Sequence, residues 1–284
     1  MNPELSIIIT SYKNPSLLKL CVEAIKKNIR GVNYEIIVVD GETEEETYDL
    51  IREEFPDLNF LPNEKNVGFS GLVNQGLEKA RGDFFFIINS DIIIKKEGIS
   101  RMMEFMKKNP DIGLAGPKLI NFDNSIQQSI FRFYKPTTVI YRRTFLKKFS
   151  FAKKHLSRFL MEDEKRYDKV LDVDWIMGSA MMVSRQSVDK VGKMDDGFFM
   201  YFEDVDWCWR FWENKLRVIY YPMVEVYHYH GKQSANQNVL GALLFNRYTR
   251  VHICSAIRFF HKYLNKSNPH KVYQKEKKQK NGKL

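Results

Sequence analysis

The sequence has few cysteines and no long apolar run, and both absences exclude classes of protein. Its three cysteines, Cys21, Cys208 and Cys254, lie far apart and form no CxxC pair. This spacing indicates neither a zinc site nor a disulfide framework, so a reducing compartment is expected. No apolar stretch is long enough to span a bilayer, and the opening residues MNPELSIIITSY do not resemble a signal peptide. We therefore expect a cytoplasmic protein.

Acidic residues are outnumbered, with 35 Asp and Glu against 45 Lys and Arg, and the net charge is +10. A basic protein favours anionic partners such as phosphorylated metabolites, nucleic acid or an acidic membrane surface. The excess lies in a basic, aromatic segment at 131–169, with twelve bases against four acids, and in the tail from Lys262 onward. The 284 residues suffice for one large domain or two small ones with a substantial core.

Short apolar runs alternate with helix-like segments through the first part of the chain. The runs LSIIIT, YEIIVVD, LNFLPN and DFFFIIN predict strands, and each is followed by a predicted helix, the first from Pro15 to Asn28. This alternation predicts an α/β fold with a mostly parallel sheet covered by helices on both faces. We expect one domain at residues 1–234 and a basic amphipathic helical tail at 235–284, where apolar residues recur at helical spacing.

Polar residues stand where several predicted strands end. In an open parallel sheet, ligands bind outside these carboxyl ends, which predicts a shared nucleotide site. The Gly-rich turn NVGFSGLVNQG leads into a helix N-terminus, which suits an anion. Each signal has a structural alternative, because an acid after a strand often caps a helix and glycines often only make turns. The predicted donor-site residues are Thr10, Ser11, Tyr12, Asp40, Asn66, Gly68, Phe69, Asn74 and Ser90.

Asp91 follows the fourth predicted strand and is the candidate ligand for a divalent cation. Mg²⁺ and Mn²⁺ take few protein carboxylates and complete their shell with water and phosphate oxygens. One strand-end Asp beside a diphosphate meets that demand. The alternative is that Asp91 caps the following segment.

The stretch FFMYFEDVDWCWRF, residues 198–211, places carboxylates among large apolar side chains. Because Val205, Cys208, Trp209 and Trp212 fall at i, i+3, i+4 and i+7, they predict one buried stripe of a helix. Glu203 and Asp204 then stand at its N-terminus, where the helix dipole stabilises an ionised carboxylate. These acids are either catalytic or serve as a helix cap or salt-bridge partners.

The motifs SIIITSYKN, IIVVDGET, NVGFSGLVNQGL, FFFIINSD, WIMGSAMMVSR, FFMYFEDVDWCWR and VYHYHGKQS occur in this order within residues 4–234. Together they resemble the family 2 glycosyltransferases of the GT-A fold, and more closely the rhamnosyltransferase-like branch that builds bacterial O-antigen and related surface polysaccharides. The chain departs from that family at DGETEEE after the second strand, and at NSD, where only Asp91 offers a carboxylate.

The resemblance implies an inverting, metal-dependent transfer of a sugar, with rhamnose a candidate, from a UDP- or dTDP-sugar to a hydroxyl of a saccharide or lipid-linked saccharide. Asp204 aligns with the catalytic base, with Glu203 beside it. His228 would join Asp91 at the Mg²⁺ or Mn²⁺ site, with His230 the alternative. The donor sugar would lie over Trp175 and Gly178, with a contact to Asp174. The predicted acceptor contacts are Asp206, Phe199 and Tyr201, the two aromatic residues being core in the alternative.

The basic segment and the tail have several readings. A polyprenyl-diphosphate-linked acceptor at an anionic membrane suits the mixture of bases and aromatic rings, and would make the protein peripheral at the inner face of the cell membrane. A single-stranded nucleic-acid surface is the less favoured alternative. The tail could serve membrane binding, packing on the core or a homodimer. A nucleotidyltransferase is disfavoured, because TSYKNPSL lacks its Gly- and Lys-rich loop.

Overall fold

A computed structural model describes residues 2–95, 98–162, 168–229 and 247–281. Its strands are β1 (Leu5–Ser11), β2 (Tyr34–Asp40), β3 (Asn59–Pro62), β4 (Phe84–Asn89), β5 (Ile92–Ile94), β6 (Ile112–Ile120), β7 (Ile130–Phe131), β8 (Leu171–Asp172), β9 (Trp175–Ile176), β10 (Ala180–Ser184) and β11 (Arg217–His228). Its α-helices are α1 (Pro15–Asn28), α2 (Glu45–Glu54), α3 (Gly68–Lys79), α4 (Ile99–Lys108), α5 (Pro136–Arg143), α6 (Ser150–Phe159), α7 (Arg185–Val191), α8 (Glu203–Glu213), α9 (Arg247–Lys262) and α10 (Pro269–Asn281).

Within the described residues, nine strands form one sheet in the order β3-β2-β1-β4-β10-β6-β11-β5, with β8 paired to β11. The first four are parallel, as the alternating pattern predicts. Strand β10 is antiparallel to both of its neighbours, and β5 is antiparallel to β11. The predicted α/β fold with helices around the sheet is confirmed, and the sheet is mixed because β10, β5 and β8 run opposite to the other six strands.

The parallel half forms because its strands are apolar on both faces. All seven residues of β1 are buried, and so are the last five of β2. Helix α3 approaches β1 most closely at Gly76, where an added Cβ would lie 2.3 Å from Ile8 Cγ2. Glycine is therefore required there by the close contact between helix and strand.

The two tail helices pack against the helix that carries the acidic stretch. In α8, the side chains of Trp209 and Trp212 stack on Tyr263 and His270, with ring centroids 4.4 and 3.9 Å apart. The tail is thus part of the packed structure rather than a separate basic extension, as far as the described residues show. The domain boundary at residue 234 stays a prediction, since residues 230–246 lie outside the described ranges.

Asp174 anchors this packing from the sheet side. Its buried carboxylate lies 2.6 Å from His270 Nδ1 and accepts hydrogen bonds from Asn268 Nδ2 (3.0 Å) and the Phe133 N–H (2.8 Å). Burial would raise the pKa of Asp174, but the bonds from His270 and Phe133 lower it below its ordinary value. The predicted contact between Asp174 and a donor sugar is therefore wrong, because its oxygens hold the tail.

No helix in the ranges that the structure describes has the length and apolar character to cross a bilayer.

Replacing His270 by alanine should destabilise the fold. His270→Ala removes the stack on Trp212 and leaves the buried Asp174 carboxylate with fewer partners, so the free energy of unfolding should fall by about 3 kcal/mol. Urea denaturation at pH 7 measures this change.

The matched control is His261→Ala, at an exposed position of the same tail, which should change stability by less than about 0.5 kcal/mol. Because the pKa of Asp174 is lowered in the fold, its stabilisation is present above its unfolded pKa of about 3.9 and is lost as pH falls through the lower folded value. Equal stability of the two variants at pH 7 would contradict this account of the tail.

Candidate active site

Hydrogen bonds join the carboxyl ends of β1 and β4, while β2 ends in register beside β1. Ser11 pairs with Asp40 across β1 and β2, and Thr10 pairs with Asn89 across β1 and β4. The Ser90 N–H donates to the Thr10 carbonyl at 2.9 Å, and Thr10 Oγ1 donates to Asn89 Oδ1 at 3.1 Å. The polar residues that end three strands therefore lie at one edge of the sheet.

Buried oxygens without a hydrogen-bond partner concentrate at this edge among the described residues. They include both carboxylate oxygens of Asp40 and the hydroxyls of Ser11 and Ser179. Burial raises the pKa of Asp40. A buried polar group left unpaired costs about 1–3 kcal/mol. Such a concentration indicates a place where a ligand supplies the missing partners.

Glu42 and Glu44 follow β2 at the point where the sequence departs from the family pattern. Both form ion pairs next to this edge of the sheet. Lys13 Nζ lies 2.9 Å from Glu42 and 3.1 Å from Glu44, and the Tyr12 hydroxyl donates to Glu42 at 3.1 Å. Lys13 thus balances part of the extra negative charge, and the partly exposed Tyr12 ring is held beside it.

Asp91 and His228 form a pair suited to a divalent cation. Asp91 Oδ1 is a buried oxygen without a hydrogen-bond partner and lies 3.4 Å from His228 Nε2. His228 Nδ1 donates a hydrogen bond to Gln127 Oε1 at 2.7 Å. This bond orients the ring so that Nε2 lies toward Asp91. No group of three His, Cys, Asp or Glu side chains able to hold a metal is found in the part of the chain described here. Two protein ligands nevertheless fit Mg²⁺ or Mn²⁺, which completes its shell with phosphate oxygens and water.

Sequence reasoning missed Gln127, which lies in the irregular stretch NSIQQS, where no periodicity or spacing marks it. The alternative metal ligand, His230, lies outside the described residues.

A short backbone bridge connects this pair to the acidic stretch. The Asn89 N–H donates to the Ser179 carbonyl at 3.1 Å, and the adjacent Gly178 N–H donates to Asp204 Oδ2 at 3.0 Å. Asp91 is two residues beyond Asn89. The two candidate functional acids are therefore linked through the GSA turn before β10, in which Ser179 was not singled out from the sequence.

The predicted helix of the acidic stretch is present as α8, and its predicted stripe is buried. Glu203 begins the helix and is only 6% exposed, whereas Asp204 beside it is partly exposed. Burial raises the pKa of Asp204 to about 6, although hydrogen bonds from the Gly178 and Val205 N–H groups lower it. Burial, and then the charge of Asp204, raise the pKa of Glu203 well above its ordinary value. At pH 7 Asp204 is therefore mostly ionised, and Glu203 keeps its proton to a higher pH than an ordinary glutamate does.

The chain enters α8 through two strained residues. Tyr201 and Phe202 both have φ of 68°, a left-handed conformation that is rare for bulky side chains. Such strain costs about 1–3 kcal/mol per residue and persists only where packing enforces it. Here the tail supplies that packing: the His252 ring lies against both side chains, and Ser255 Oγ donates to the Met200 carbonyl at 2.8 Å.

The N-terminus of α3 contacts the protein chain rather than offering all its donors to a phosphate. The Gly68 N–H donates to Asn66 Oδ1 at 2.9 Å, and the Phe69 N–H donates to the Phe199 carbonyl at 3.0 Å. Gly68 has φ of +79°, and a Cβ there would lie 2.2 Å from the same carbonyl. The Phe69 ring lies against Gly178, where an added Cβ would be 2.9 Å from Cε1. These residues therefore shape the edge next to Asp204.

The acceptor contact predicted for Asp206 is wrong in this geometry. Its side chain is 0% exposed and is bound by Arg210 Nε (2.9 Å), the Tyr263 hydroxyl (2.8 Å) and Lys262 Nζ (2.6 Å). Asp206 is thus a buried ion-pair partner that joins α8 to the tail.

Two predicted donor contacts are also structural. The buried Trp175 ring stacks on Phe131, with centroids 4.3 Å apart, and its Nε1–H donates to the Arg132 carbonyl at 2.9 Å. The Asn74 side chain bonds the backbone N–H and carbonyl of Met194. The polar atoms of both side chains are hydrogen-bonded within the protein, so neither Trp175 nor Asn74 is part of the proposed site.

Comparison with solved structures identifies the fold. The crystal structure of GalNAc-T7 with UDP, GalNAc and Mn²⁺ matches with a TM-score of 0.58 at 13% identity. The match covers 88% of this chain and 48% of that chain, so this chain spans about half of it. The predicted GT-A type of α/β fold is thereby confirmed.

Comparison with curated proteins finds relatives that act in glycan synthesis. The chain is 24% identical over 233 residues to the low-salt glycan biosynthesis hexosyltransferase Agl10 of Haloferax volcanii, covering 80% of this chain and 68% of that protein. It is 22% identical over 241 residues to an N-acetylglucosaminyl-diphospho-decaprenol L-rhamnosyltransferase of Mycobacterium tuberculosis, covering 81% and 77%. The family model described as "Glycosyl transferase family 2" matches residues 6–192, more than half of the chain. With its sheet, strand-end site and acidic helix, the chain belongs to glycosyl transferase family 2.

Proposed function

We propose that this family 2 glycosyltransferase inverts the anomeric centre of a sugar as it moves it from a nucleotide diphosphate to a hydroxyl. The observation that carries the proposal is the hydrogen-bonded link between Asp91 and Asp204 through Asn89, Ser179 and Gly178. It sets a candidate cation ligand and a carboxylate with a pKa of about 6 at one edge of the sheet. An inverting transfer needs both: charge stabilisation on the leaving group and a base on the opposite side.

The nucleotide of a UDP- or dTDP-sugar would bind at the ends of β1 and β2. The unpaired oxygens of Asp40 and Ser11 and the partly exposed ring of Tyr12 support this position. Thr10, Ser90, Phe69 and Gly178 border the same edge, and Asn66 and Gly68 fix the turn beside it. The GalNAc-T7 structure, which has the same type of fold, contains UDP and Mn²⁺.

Asp91 and His228 would hold Mg²⁺ or Mn²⁺. When bound, the cation supplies Lewis-acid stabilisation of the charge that develops on the departing diphosphate. Gln127 orients the His228 ring by accepting from Nδ1, and the unpaired Oδ1 of Asp91 faces the same space as Nε2.

Asp204 would act as the general base that takes the proton of the acceptor hydroxyl. Its carboxylate is held by the N–H groups of Gly178 and Val205, and its raised pKa makes it basic enough for the task. Glu203 is buried beside it, and its raised pKa favours the uncharged form, which limits the negative charge next to Asp204. Attack from the side opposite the diphosphate inverts the anomeric centre in one displacement.

The acceptor would be a saccharide or a polyprenyl-diphosphate-linked saccharide used to build surface polysaccharide such as O-antigen, with rhamnose a candidate sugar. The Mycobacterium tuberculosis relative, an N-acetylglucosaminyl-diphospho-decaprenol L-rhamnosyltransferase, supports this choice. The half-buried Phe199 and Tyr201, next to α8, would border the acceptor. Such an acceptor would place the protein peripherally at the inner face of the cell membrane. The homodimer through the tail stays a prediction.

Turnover should depend on the ionised form of Asp204. Asp204→Asn should lower kcat about 10²- to 10⁴-fold while leaving binding of the nucleotide sugar nearly unchanged. In the unmodified protein, kcat should fall as the pH drops below about 6, because the base becomes protonated. Glu203→Gln should leave this acid limb in place, because the limb reports protonation of Asp204. A pH series of single-turnover rates with a UDP- or dTDP-sugar measures both effects.

The control for Asp204→Asn is Asp196→Asn, an exposed carboxylate in the preceding loop, which should leave turnover and its pH profile unchanged. Retained turnover in Asp204→Asn would remove Asp204 as the base, and an acid limb that disappears in Glu203→Gln would transfer the role to Glu203.

Replacing Asp91, the candidate cation ligand, should weaken only the part of nucleotide binding that depends on the metal. Asp91→Asn should weaken UDP or dTDP binding at least about tenfold in Mn²⁺, with little effect in EDTA, because the carboxylate acts only through the cation. Gln127→Ala should cause a smaller loss of the same kind, because the His228 ring is no longer oriented. Calorimetry of nucleotide binding with and without Mn²⁺ gives the readout without turnover.

Asp189→Asn is the matched control, since Asp189 is exposed at the far end of α7. If Asp91→Asn and Asp189→Asn bind the nucleotide equally well in Mn²⁺, Asp91 is not a cation ligand.

A further inference from the structure

Three phenylalanine rings in the basic segment are exposed and touch one another. Phe145, Phe149 and Phe151 are 70%, 49% and 57% exposed. The rings of Phe145 and Phe149 are 6.3 Å apart, and those of Phe149 and Phe151 are stacked at 5.8 Å. Single exposed apolar side chains are common, but a contiguous group marks a surface that binds something. We call these three rings the phenylalanine patch.

The patch does not result from a helix that lacks a place to pack. Helix α6 buries Ala152 and Phe159 on its inner side, and Thr138 Oγ1 of α5 lies 2.7 Å from His155 Nε2 of α6. The inner sides of α5 and α6 are therefore joined to each other and to the core. The phenylalanine patch lies on the outer side of α5 and α6, which are fixed to each other and to the core.

The segment of the chain that carries the patch is basic and contains no acid. From residue 131 to 161 the chain has nine Lys and Arg and no Asp or Glu. Those exposed in the structure include Lys147, Lys148, Lys153 and Lys154. Aromatic rings beside lysines are typical of a segment that lies in the interface of an anionic bilayer, with rings among the acyl chains and ammonium groups at the headgroups.

The charge also argues against the other occupants of this surface. A second copy of the chain would bring the same acid-free segment against itself, which like-charge repulsion opposes. Single-stranded nucleic acid binds where successive bases stack on open faces of aromatic rings. Here the rings of Phe149 and Phe151 stack on each other instead.

Helix α5, which precedes the patch in the chain, is connected to the candidate base by a short path. Arg142 Nη1 of α5 donates to the Tyr134 hydroxyl at 2.6 Å, and the Tyr134 ring lies 4.8 Å from that of Phe202. Phe202 immediately precedes Glu203 and Asp204. A surface bound through α5 and α6 would therefore lie near the entry of α8, the acceptor side of the proposed reaction.

From these observations we infer that α5, α6 and the turn between them form a membrane-docking face. Phe145, Phe149 and Phe151 insert into an anionic bilayer, and the lysines around them contact the lipid headgroups. This inference goes beyond the proposed sugar transfer, because it assigns the residues that bind the lipid surface and requires neither donor nor acceptor.

The test is co-sedimentation of the full chain with vesicles, without donor, acceptor or metal. Vesicles of phosphatidylglycerol and phosphatidylcholine should bind the protein, vesicles of phosphatidylcholine alone should bind at least tenfold less, and added salt should weaken the binding. Phe145→Ser/Phe149→Ser/Phe151→Ser should lower the partition coefficient on anionic vesicles at least tenfold. The matched control replaces three exposed apolar residues elsewhere, Leu20→Ser/Tyr48→Ser/Met223→Ser, and should bind like the unmodified chain.

A second measurement does not depend on the folding of the triple variant. In a Cys254→Ser background, Phe149→Cys carrying an environment-sensitive fluorophore should shift to shorter wavelength with anionic vesicles, whereas Leu20→Cys with the same label should not shift. Equal binding by the two triple variants, or no shift at position 149, would overturn the inference. A shift at position 149 caused by an oligonucleotide or by self-association, and not by vesicles, would overturn it in favour of those partners. Because no sugar transfer is measured, a failed proposal for the reaction leaves this result unaffected.

Discussion

The hydrogen bond from the Gly178 N–H to Asp204 Oδ2 is the contact on which the site depends. It ties the start of α8 to the turn before β10, and the next residue of that turn, Ser179, accepts a hydrogen bond from the end of β4. The candidate base and the end of the strand that precedes Asp91 thus share one backbone connection. The same N–H lowers the pKa of Asp204 against the effect of burial, so that the carboxylate is ionised at neutral pH.

The tail explains how this arrangement persists despite its strain. Two bulky residues in left-handed conformation lead into α8, and the tail packs on both of them. Asp206, one turn into the helix, is bound by Tyr263 and Lys262 of the tail. A buried carboxylate without such partners would be strongly destabilising. The basic tail thus acts first as a structural support of the candidate active site.

The sequence was sufficient for the regular parts of the protein and for the strand-end residues. The bounds of α1 and β2 follow directly from apolar periodicity and turn residues, because burial on the sheet dictates those patterns. The antiparallel β10 was not foreseen, since a buried strand has the same composition in either direction. The role of Asp206 could not be predicted either, because its partners come from the tail, more than 50 residues away. Gln127 acts through one ring nitrogen of His228, a contact that leaves no pattern in the sequence.

The central claim is that Asp91 with His228 and Asp204 face one nucleotide sugar from its two sides. A crystal structure with Mn²⁺ and UDP, recorded at the manganese absorption edge, tests it most directly. The account predicts an anomalous peak within coordination distance of Asp91 and His228 Nε2, next to the diphosphate, with Asp204 on the sugar side. A manganese peak and UDP located away from the ends of β1, β2 and β4 would contradict it.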